Sequence, residues 1–447
     1  MATPLQFQSI KLYPRLTTGR YNRWRVGFVL STQAVFFLLP WIDWQGRQAV
    51  RFDFSSMRGY LFGLTLLPGD LIYLAGTLIL CALGLFLWTA LAGRLWCGFS
   101  CPQTVYSQIM LWIERWIEGP PNARRKLDAA PWRLSKLGRK GLTQGVMIAF
   151  SLATGWTLVG YFTPVRELAP RLLNGAPGQW EAMFALGYAG FTWLLGGHLR
   201  ESVCKHMCPY ARFQSAMFDA DTLLVTYDAE RGEPRGSLRR QAGGACIDCG
   251  ICVQVCPTGI DIRQGLQYEC IGCAACIDAC DQVMDKIGQP RGLIRLDRLA
   301  PAAQAEAKPL WRRPRVAVYS GSMSVLVLLM VWGLAVREPF RVDVLRDRAV
   351  MARETDDGLI ENLYTLRIQN TRPQARRYAL KVQGEGVVRT DLRQPLLAPA
   401  DGTASVQLAV AADPSILARG SHRLTFELVD LSEPQHRVSE PGRLLMP

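Results

Sequence analysis

Eight of the thirteen cysteines in this 447-residue chain stand in two consecutive runs with one internal spacing, Cys-x2-Cys-x2-Cys-x3-Cys. This spacing curls a backbone around a cube of iron and sulfide, which takes three thiolates from one run and the fourth from the other. The runs are Cys246, Cys249, Cys252 and Cys256, followed by Pro257, and Cys270, Cys273, Cys276 and Cys280, followed by Asp281. The pattern predicts two [4Fe–4S] clusters, which transfer single electrons.

The crossed arrangement gives each cluster a mixed set of ligands. One cluster is expected on Cys246, Cys249, Cys252 and Cys280, and the other on Cys270, Cys273, Cys276 and Cys256. Zinc and a disulfide framework are the alternatives. A zinc site usually takes two Cys-x2-Cys pairs and no more, so the third cysteine and the Cys-Pro tail favour iron–sulfur. Thiols in metal-ligand spacing also indicate a reducing compartment.

Four further cysteines form two copies of a shorter motif, Cys-x3-Cys-Pro. The copies are Cys97 and Cys101, followed by Pro102, and Cys204 and Cys208, followed by Pro209. Proline is favoured at the first position of a helix, so each motif is predicted to precede one. Cys101 and Cys208 then stand at helix N-caps, where free amide groups and the helix dipole favour the thiolate.

Three interpretations of these four thiols stay open. They bind a soft cation such as Cu(I), with His206 or Met207 as a further ligand, or they hold a third iron–sulfur centre, or they are structural cysteines. The repeated proline context strengthens the two metal interpretations. Cys81 is predicted to be an ordinary small apolar residue, and His198 an interfacial histidine.

Five apolar stretches predict transmembrane helices, because each approaches the ~20 residues that cross ~30 Å of hydrocarbon. They are residues 24–42, 70–92, 143–163, 182–199 and 316–336, of which the fourth is short and rich in glycine. Many Lys and Arg residues flank these stretches. The net charge of +14 therefore indicates membrane topology rather than nucleic-acid binding, for which no motif is present.

The positive-inside rule predicts that the N-terminus and both cysteine sets are cytoplasmic and that the C-terminus lies outside. The expected organisation is a cytoplasmic head at 1–23, four transmembrane helices within 24–199, the second Cys-x3-Cys-Pro motif with a two-cluster ferredoxin domain at 200–299, a linker at 300–315, the fifth helix at 316–336 and a domain at 337–447. After Pro102, the residues Val105, Ile109, Trp112, Ile113 and Trp116 are spaced as one apolar face. That face predicts a helix lying in the membrane interface.

Beyond residue 337 the chain changes to short segments that alternate apolar and polar residues, punctuated by turn signals. These segments are 364–369, 378–382, 405–410 and 422–428. The pattern predicts an antiparallel β-sandwich of about a hundred residues. It contains no catalytic constellation, and His422 and His436 are predicted to be exposed on strands. A docking module or a structural cap is expected.

Several longer motifs resemble those of one known family, the cytochrome c oxidase accessory proteins of the FixG, CcoG and RdxA type. The stretches that carry the resemblance are residues 96–104, 112–115, 208–214, 217–223 and 357–362, with both long cysteine runs. The likeness covers nearly the whole chain. Asp281 stands where two-cluster ferredoxins usually have proline, a departure that leaves the ligand set unchanged.

The resemblance implies a multi-pass protein of the bacterial inner membrane with an immunoglobulin-like periplasmic domain at its C-terminus. It also implies a role in assembling cbb3-type cytochrome c oxidase and an oxidoreductase activity that reduces Cu(II) to Cu(I). Membrane lipid, copper, the oxidase or its assembly factors, and an unidentified electron donor would be the partners. We expect Cys97, Cys101, Cys204 and Cys208, with His206, to form the copper site. A respiratory subunit that exchanges electrons with quinone and a non-catalytic assembly scaffold are the alternatives.

Overall fold

A computed structural model describes residues 12–237, 243–298, 309–347, 352–391 and 395–447. The first eleven residues of the predicted head and most of the predicted linker at 300–315 lie outside the described residues. The chain divides into two compact units. One comprises Met1–Ile42 and Leu74–Val327, and the other comprises Asp43–Tyr73 and Leu328–Pro447.

Helices dominate the first unit. They are α1 (Arg20–Leu38), α2 (Leu71–Ala92), α3 (Leu95–Phe99), α4 (Pro102–Glu118), α5 (Pro121–Ala129), α6 (Leu134–Val159), α7 (Val165–Leu173), α8 (Gln179–Phe191), α9 (Pro209–Phe213), α10 (Ala229–Gly232), α11 (Ile251–Gln254), α12 (Ala275–Lys286) and α13 (Pro314–Ala335). A π-helical segment, Thr192–Leu199, continues α8, and a second one spans Val203–Met207.

Strands occur in both units. They are β1 (Asp43–Trp44), β2 (Arg47–Gln48), β3 (Val50–Asp53), β4 (Arg58–Leu61), β5 (Leu64–Leu66), β6 (Leu223–Tyr227), β7 (Ile294–Arg298), β8 (Phe340–Arg346), β9 (Arg353–Glu354), β10 (Ile360–Asn370), β11 (Arg376–Gly384), β12 (Val387–Asp391), β13 (Leu396–Ala398), β14 (Thr403–Ala412), β15 (Gly420–Asp430) and β16 (Arg437–Met446).

Within the described residues, three helices are long and apolar enough to cross a membrane. They are Pro68–Ala92, which includes α2, together with α6 and α13. These three match the second, third and fifth predicted stretches. The first and fourth stretches are also helical, but α1 is not apolar enough and α8 is too short. The reason is that α1 opens with several arginines, whereas α8 has only 13 residues before its π-helical continuation.

The cluster-binding region has a small core of its own. Strands β6 and β7 pair antiparallel, with Leu223 opposite Arg298. Buried residues from these strands and from both cysteine runs pack together, among them Val225, Cys252, Ile277 and Ile294. Strand β7 was not predicted, because it is five residues long and its partner lies almost seventy residues earlier in the sequence.

The second unit contains the predicted β-sandwich. One sheet has the order β12-β14-β10-β8, with β9 also on β10, and the other has the order β13-β11-β15-β16. Aromatic residues of the two sheets meet in the core: the ring centroids of Tyr364 and Phe426 are 5.1 Å apart and those of Phe340 and Tyr378 are 4.7 Å apart. All four predicted strand segments fall inside observed strands, so this fold prediction is confirmed.

The expectation of exposed histidines in the sandwich is wrong. His422 is half-buried, and its Nε2 lies 2.7 Å from the carbonyl oxygen of Ala418. His436 precedes strand β16 and is held by Glu338, at 2.8 Å from Nδ1, and by Glu433. Neither ring is free in solvent, because local backbone and carboxylate groups hold each of them.

The small strands β1–β5 belong to the second unit and were not predicted from the sequence. Asp401 accepts hydrogen bonds from Arg47, at 2.6 Å, and from Thr65, at 2.8 Å. Asp70 is buried and pairs with Arg337, at 2.5 Å, and Arg341, at 2.8 Å. Residues 43–73 are therefore part of the sandwich unit rather than a loose loop.

Candidate metal centres

The two long cysteine runs adopt the same local backbone conformation. In the first run Asp248 and Gly250 have positive φ angles of 51° and 65°, and in the second run Gly272 and Ala274 have φ of 66° and 57°. Left-handed residues that alternate in this way turn successive amide groups toward one point, as in the concave backbone of iron–sulfur sites. The third cysteine of each run then lies at the start of a helix, Cys252 in α11 and Cys276 in α12.

The thiols of the two long runs lie close enough to act on one another electrostatically. Burial, together with the neighbouring charges of Cys252, Asp281, Cys246 and Cys249, raises the pKa of Cys280 to about 12. Burial likewise raises the pKa of Cys276, and the charges of Cys273, Cys270, Cys256 and Cys252 act in the same direction. Cys280 and Cys276 therefore each have neighbouring thiols from both runs, and the crossed ligand sets stay a prediction.

These residues fit a pair of [4Fe–4S] clusters. A small cavity of about 20 Å³ is lined by Cys256, Cys270, Cys273 and Cys276, and also by Cys252 of the other predicted ligand set. Burial raises the pKa of Cys270 to about 12 and that of Cys252 to about 11. Buried thiols of this kind ionise when a bound cation replaces the proton, as metal ligands do. Within the described part of the chain, no three His, Cys, Asp or Glu side chains surround the position of a single metal ion.

The four Cys-x3-Cys-Pro thiols come together although a hundred residues separate the two motifs. Burial raises the pKa of Cys97 to about 12, and the charges of Cys101, Cys204 and Cys208 act on it in the same direction. Cys101 is the N-cap residue of α4 and Cys208 is that of α9, as predicted. The motifs therefore form one cluster of thiols.

The expected stabilisation of the thiolate at Cys101 is outweighed by burial. Burial raises the pKa of this thiol, whereas the amide groups of Gln103 and Thr104 lower it by a smaller amount. The helix N-terminus acts in the predicted direction, but the low dielectric around the half-buried side chain decides the result. Burial also raises the pKa of Cys204 to about 11.

Other candidate ligands lie in different surroundings from the four thiols. The side chains of His206 and Met207 are exposed, whereas all four thiols are half-buried. Cys81 is exposed on the membrane helix α2. His198 ends the π-helical segment and lies over Trp193, with ring centroids 4.3 Å apart.

The thiol cluster packs directly on the cluster-binding region. Cys97 and Cys204 contact a buried group that includes Val255, Ile271 and Cys273. Backbones meet at the same place, since a Cβ atom on Gly98 would lie 2.5 Å from the Cα atom of Cys273. The two cysteine sets therefore share one contact surface.

Arg94 is a site residue that the sequence analysis missed. Its side chain is 7% exposed, and its guanidinium donates to the carbonyl oxygens of Tyr268, Cys270 and Ala211. It thereby joins the end of α2, the second long run and the segment after the second short motif. An arginine after an apolar helix is read as a topology signal, so its sequence position did not reveal this role.

Helix α4 buries several polar residues that lie outside the predicted apolar face. Gln108, Glu114 and Glu118 are buried, whereas Trp116 is 79% exposed. Glu114 is paired with Arg124 and Arg200, and Lys140 holds Glu118 at 2.7 Å. These ion pairs allow the polar face to turn inward, and they leave much of the apolar face free to meet lipid.

Three family models match the chain. Residues 199–299 match a 4Fe-4S dicluster domain, residues 74–120 match a 4Fe-4S binding domain, and residues 330–447 match the IG-like fold at the C-terminal of FixG. The chain is also similar to the nitrogen fixation protein FixG of Rhizobium meliloti. The two are 37% identical over 85% of this chain and 80% of that protein.

Protein RdxA of Cereibacter sphaeroides is 36% identical over 96% of this chain and 94% of its own length. The chain belongs to the FixG/RdxA family. Protein RdxB of the same organism is 38% identical over 84% of the chain and 82% of its own length. With these relatives and the two 4Fe-4S matches, the chain is an iron–sulfur protein of the electron-transfer type, with membrane-spanning helices and an Ig-like C-terminal domain.

Proposed function

We propose that this protein transfers electrons to Cu(II) at the cytoplasmic face of the bacterial inner membrane and releases Cu(I) for the assembly of cbb3-type cytochrome c oxidase. The observation that carries the proposal is the backbone contact between Gly98 and Cys273. It joins the four Cys-x3-Cys-Pro thiols to a ligand of the second predicted cluster. Electrons held by the cluster-binding region therefore have a short route to a group of soft ligands.

The chain's own residues would hold the groups involved. The eight thiols of the long runs would bind two [4Fe–4S] clusters, which supply one-electron transfer when bound. Copper is the substrate: each Cu(II) takes up one electron from the reduced protein and becomes Cu(I), and a cytoplasmic donor returns that electron. Thiolate ligands prefer Cu(I), so Cys97, Cys101, Cys204 and Cys208 would favour the reduced ion.

The contacts within the first unit support five membrane crossings. Before α1, the amide of Arg15 donates to the carbonyl oxygen of Gln254, and after α2, Arg94 donates to Cys270. Both ends of this segment touch the cluster-binding region, so the number of crossings between them must be even. Since α2 is long and apolar enough to cross, α1 would cross as well.

The number of crossings between the two short motifs should also be even. Cys97 and Cys204 lie in one thiol cluster, so α6 requires a second crossing, which α8 and its π-helical continuation would supply. A single crossing by α13 then puts the C-terminal domain on the opposite, periplasmic side. The contacts within the first unit and the distribution of Lys and Arg thus favour the same topology of five crossings. Neither α1 nor α8 alone has the apolar length of a typical span.

The copper activity can be tested in a single turnover. Anaerobically purified protein is reduced, freed of reductant and mixed with Cu(II), while EPR follows oxidation of the clusters and a cuprous chelator traps Cu(I). We expect one Cu(I) per electron lost and a cluster oxidation rate at least ~10-fold lower in Cys97→Ser, an effect of about 1.4 kcal/mol on the barrier.

Cys81→Ser is the matched control, because Cys81 is a thiol of the same chain outside both cysteine sets. Its cluster oxidation rate should equal that of the wild type. Free thiols reduce Cu(II) directly, and the EPR signal separates that reaction from electron transfer out of the clusters. Equal cluster oxidation rates in wild type and Cys97→Ser would overturn the proposed role of the thiol site.

What the four thiols hold at rest is a separate question. The 4Fe-4S binding-domain match at 74–120 includes Cys97 and Cys101, which supports a resident iron–sulfur centre at this site. An iron content near twelve per chain would indicate such a centre, and one near eight would leave the thiols available to copper.

A further inference from the structure

Arg25 is a buried cation near the start of α1, inside the first stretch predicted to enter the membrane. Its side chain is 5% exposed. One guanidinium nitrogen donates to Oδ1 of Asn22 at 2.8 Å, and Nε has no hydrogen-bond partner. Among the described residues, no carboxylate pairs with Arg25. A buried charge without a counter-ion is costly, so this position requires a negative neighbour.

The cluster-binding region supplies that neighbour. Arg25 lines a cavity of about 50 Å³ together with Cys204 and Cys273, and Glu201 lines the same cavity without bonding to Arg25. Burial raises the pKa of Cys273, and the positive charge of Arg25 opposes this rise. The unpaired guanidinium therefore lies beside a ligand of the second predicted cluster.

Arg94 is a second buried cation beside the same cluster. It donates to the carbonyl oxygen of Cys270 at 3.2 Å. Its charge favours the thiolates of Cys270, Cys97 and Cys204 against the opposing effect of burial. Arg94 thus lies between the cluster ligands and the Cys-x3-Cys-Pro thiols.

The first predicted cluster has different surroundings. Near Cys252 the positive charge of Arg263 has a larger effect than the negative charge of Asp261, and Asp281 adds negative charge near Cys280. Arg263 is, however, already paired with Asp261, at 2.7 Å, and with Asp248. Unpaired buried positive charge is therefore found beside the second ligand set and not, within the described residues, beside the first.

We propose that Arg25 and Arg94 are the fixed counter-charges of the cluster bound by Cys256, Cys270, Cys273 and Cys276, and that they raise its reduction potential. Reduction adds one negative charge to a cluster, and burial opposes that step. A guanidinium in the same poorly screened interior favours it. The inference rests on the proposed electron-transfer function, since it makes this cluster the acceptor that lies next to the thiol site.

The test is a mediated redox titration of the full-length, anaerobically purified protein, followed by EPR without copper. We expect Arg25→Gln to lower the midpoint potential of one cluster by about 59 mV, which is a tenfold decrease in its one-electron reduction equilibrium constant. The midpoint potential of the other cluster should stay unchanged. Arg23→Gln is the matched control, because Arg23 is exposed on the same helix two residues earlier. Its two midpoint potentials should equal those of the wild type.

Arg25→Lys keeps the charge and should restore the wild-type potential. Arg25→Gln with full iron and two unshifted potentials overturns the proposal, and so does an equal shift of both clusters. If the Arg25→Gln variant loses iron, the Arg25→Lys variant tests the proposal in its place. An Arg25→Lys variant with full iron and wild-type midpoint potentials supports the role of the charge. Loss of iron in this lysine variant overturns the proposal. The redox titration contains no copper. Its result therefore stays valid even if the proposed copper activity fails its own test.

Discussion

Gly98 has no side chain at the point where the two cysteine sets meet. A Cβ atom there would lie 2.5 Å from the Cα atom and 2.6 Å from the amide nitrogen of Cys273. Backbone atoms cannot move aside as the end of a flexible side chain can. The distance between the thiol cluster and the second predicted cluster therefore depends on one missing methyl group.

Gly98→Ala should separate these groups. We expect a loss of about 1–3 kcal/mol in the free energy of unfolding, typical of an overpacked contact, and slower oxidation of reduced clusters by Cu(II). Gly141→Ala is the control, since a Cβ atom at Gly141 meets nothing within 4 Å. Denaturant unfolding and EPR-detected reoxidation measure both effects. An alanine variant with wild-type stability and rate would show that the contact is not required.

At the residue scale, the sequence predicted the ligands better than their surroundings. Spacing alone grouped the eight long-run cysteines, because a run that wraps a cluster is a local structure. Neither Arg25 nor Arg94 was singled out from the sequence. Their roles depend on contacts with residues more than a hundred positions away, such as Cys270 and Cys273, and no local pattern encodes such contacts.

At the element scale, helix α12 connects the cluster-binding region to helix α1. Asp278 lies between Cys276 and Cys280 on α12 and is 5% exposed. Its carboxylate accepts the amide groups of Tyr21 and Asn22, at 3.1 and 2.7 Å, in the first turn of α1. A carboxylate at a helix N-terminus satisfies free amides and interacts favourably with the helix dipole.

Asp278→Ala should loosen the attachment of α1. We expect a loss of about 1–2 kcal/mol from the cap and dipole interactions. Because 1.4 kcal/mol is a factor of ten in an equilibrium constant, limited trypsin should cut at Arg15 or Arg20 roughly ten times faster. Asp285→Ala on the same helix is the control, since Asp285 is exposed and pairs with Arg291. If both variants are cleaved at the wild-type rate, Asp278 does not hold α1.

Elements with a strong local signal were predicted and the others were not. Long apolar runs indicated α2, α6 and α13, and Pro102 marked the first residue of α4. The burial of polar residues on α4 was not predicted, because Arg200, far along the chain, neutralises Glu114. The short strands β1–β5 and β7 lacked enough alternation to be recognised, since tertiary pairing defines them.

At the scale of the whole molecule, the two units have separate compositions. All thirteen cysteines belong to the first unit, and the second unit has none. Such a division suits a chain whose redox groups lie in a reducing compartment and whose other domain lies in a different one. The distribution of Lys and Arg predicted this orientation. The contacts at both ends of the α1–α2 segment, and those between the two short motifs, favour the same orientation independently.

The five-crossing topology can be tested with protease-cleavable tags. A tag at the C-terminus and one inserted between Ser55 and Ser56, both exposed in a turn, should be cut when protease is added to intact spheroplasts. A tag at the N-terminus should be cut only in inverted vesicles. If the tag at Ser55 behaves like the N-terminal tag, α1 does not cross.

The most direct test of the whole account is the inorganic content of the anaerobically purified, full-length protein. We predict a brown protein with about eight iron and eight acid-labile sulfide per chain, and two [4Fe–4S] signals by EPR after reduction. Four further irons would place a third centre on the Cys-x3-Cys-Pro thiols. Colourless protein without sulfide, or zinc in place of iron, would contradict the account.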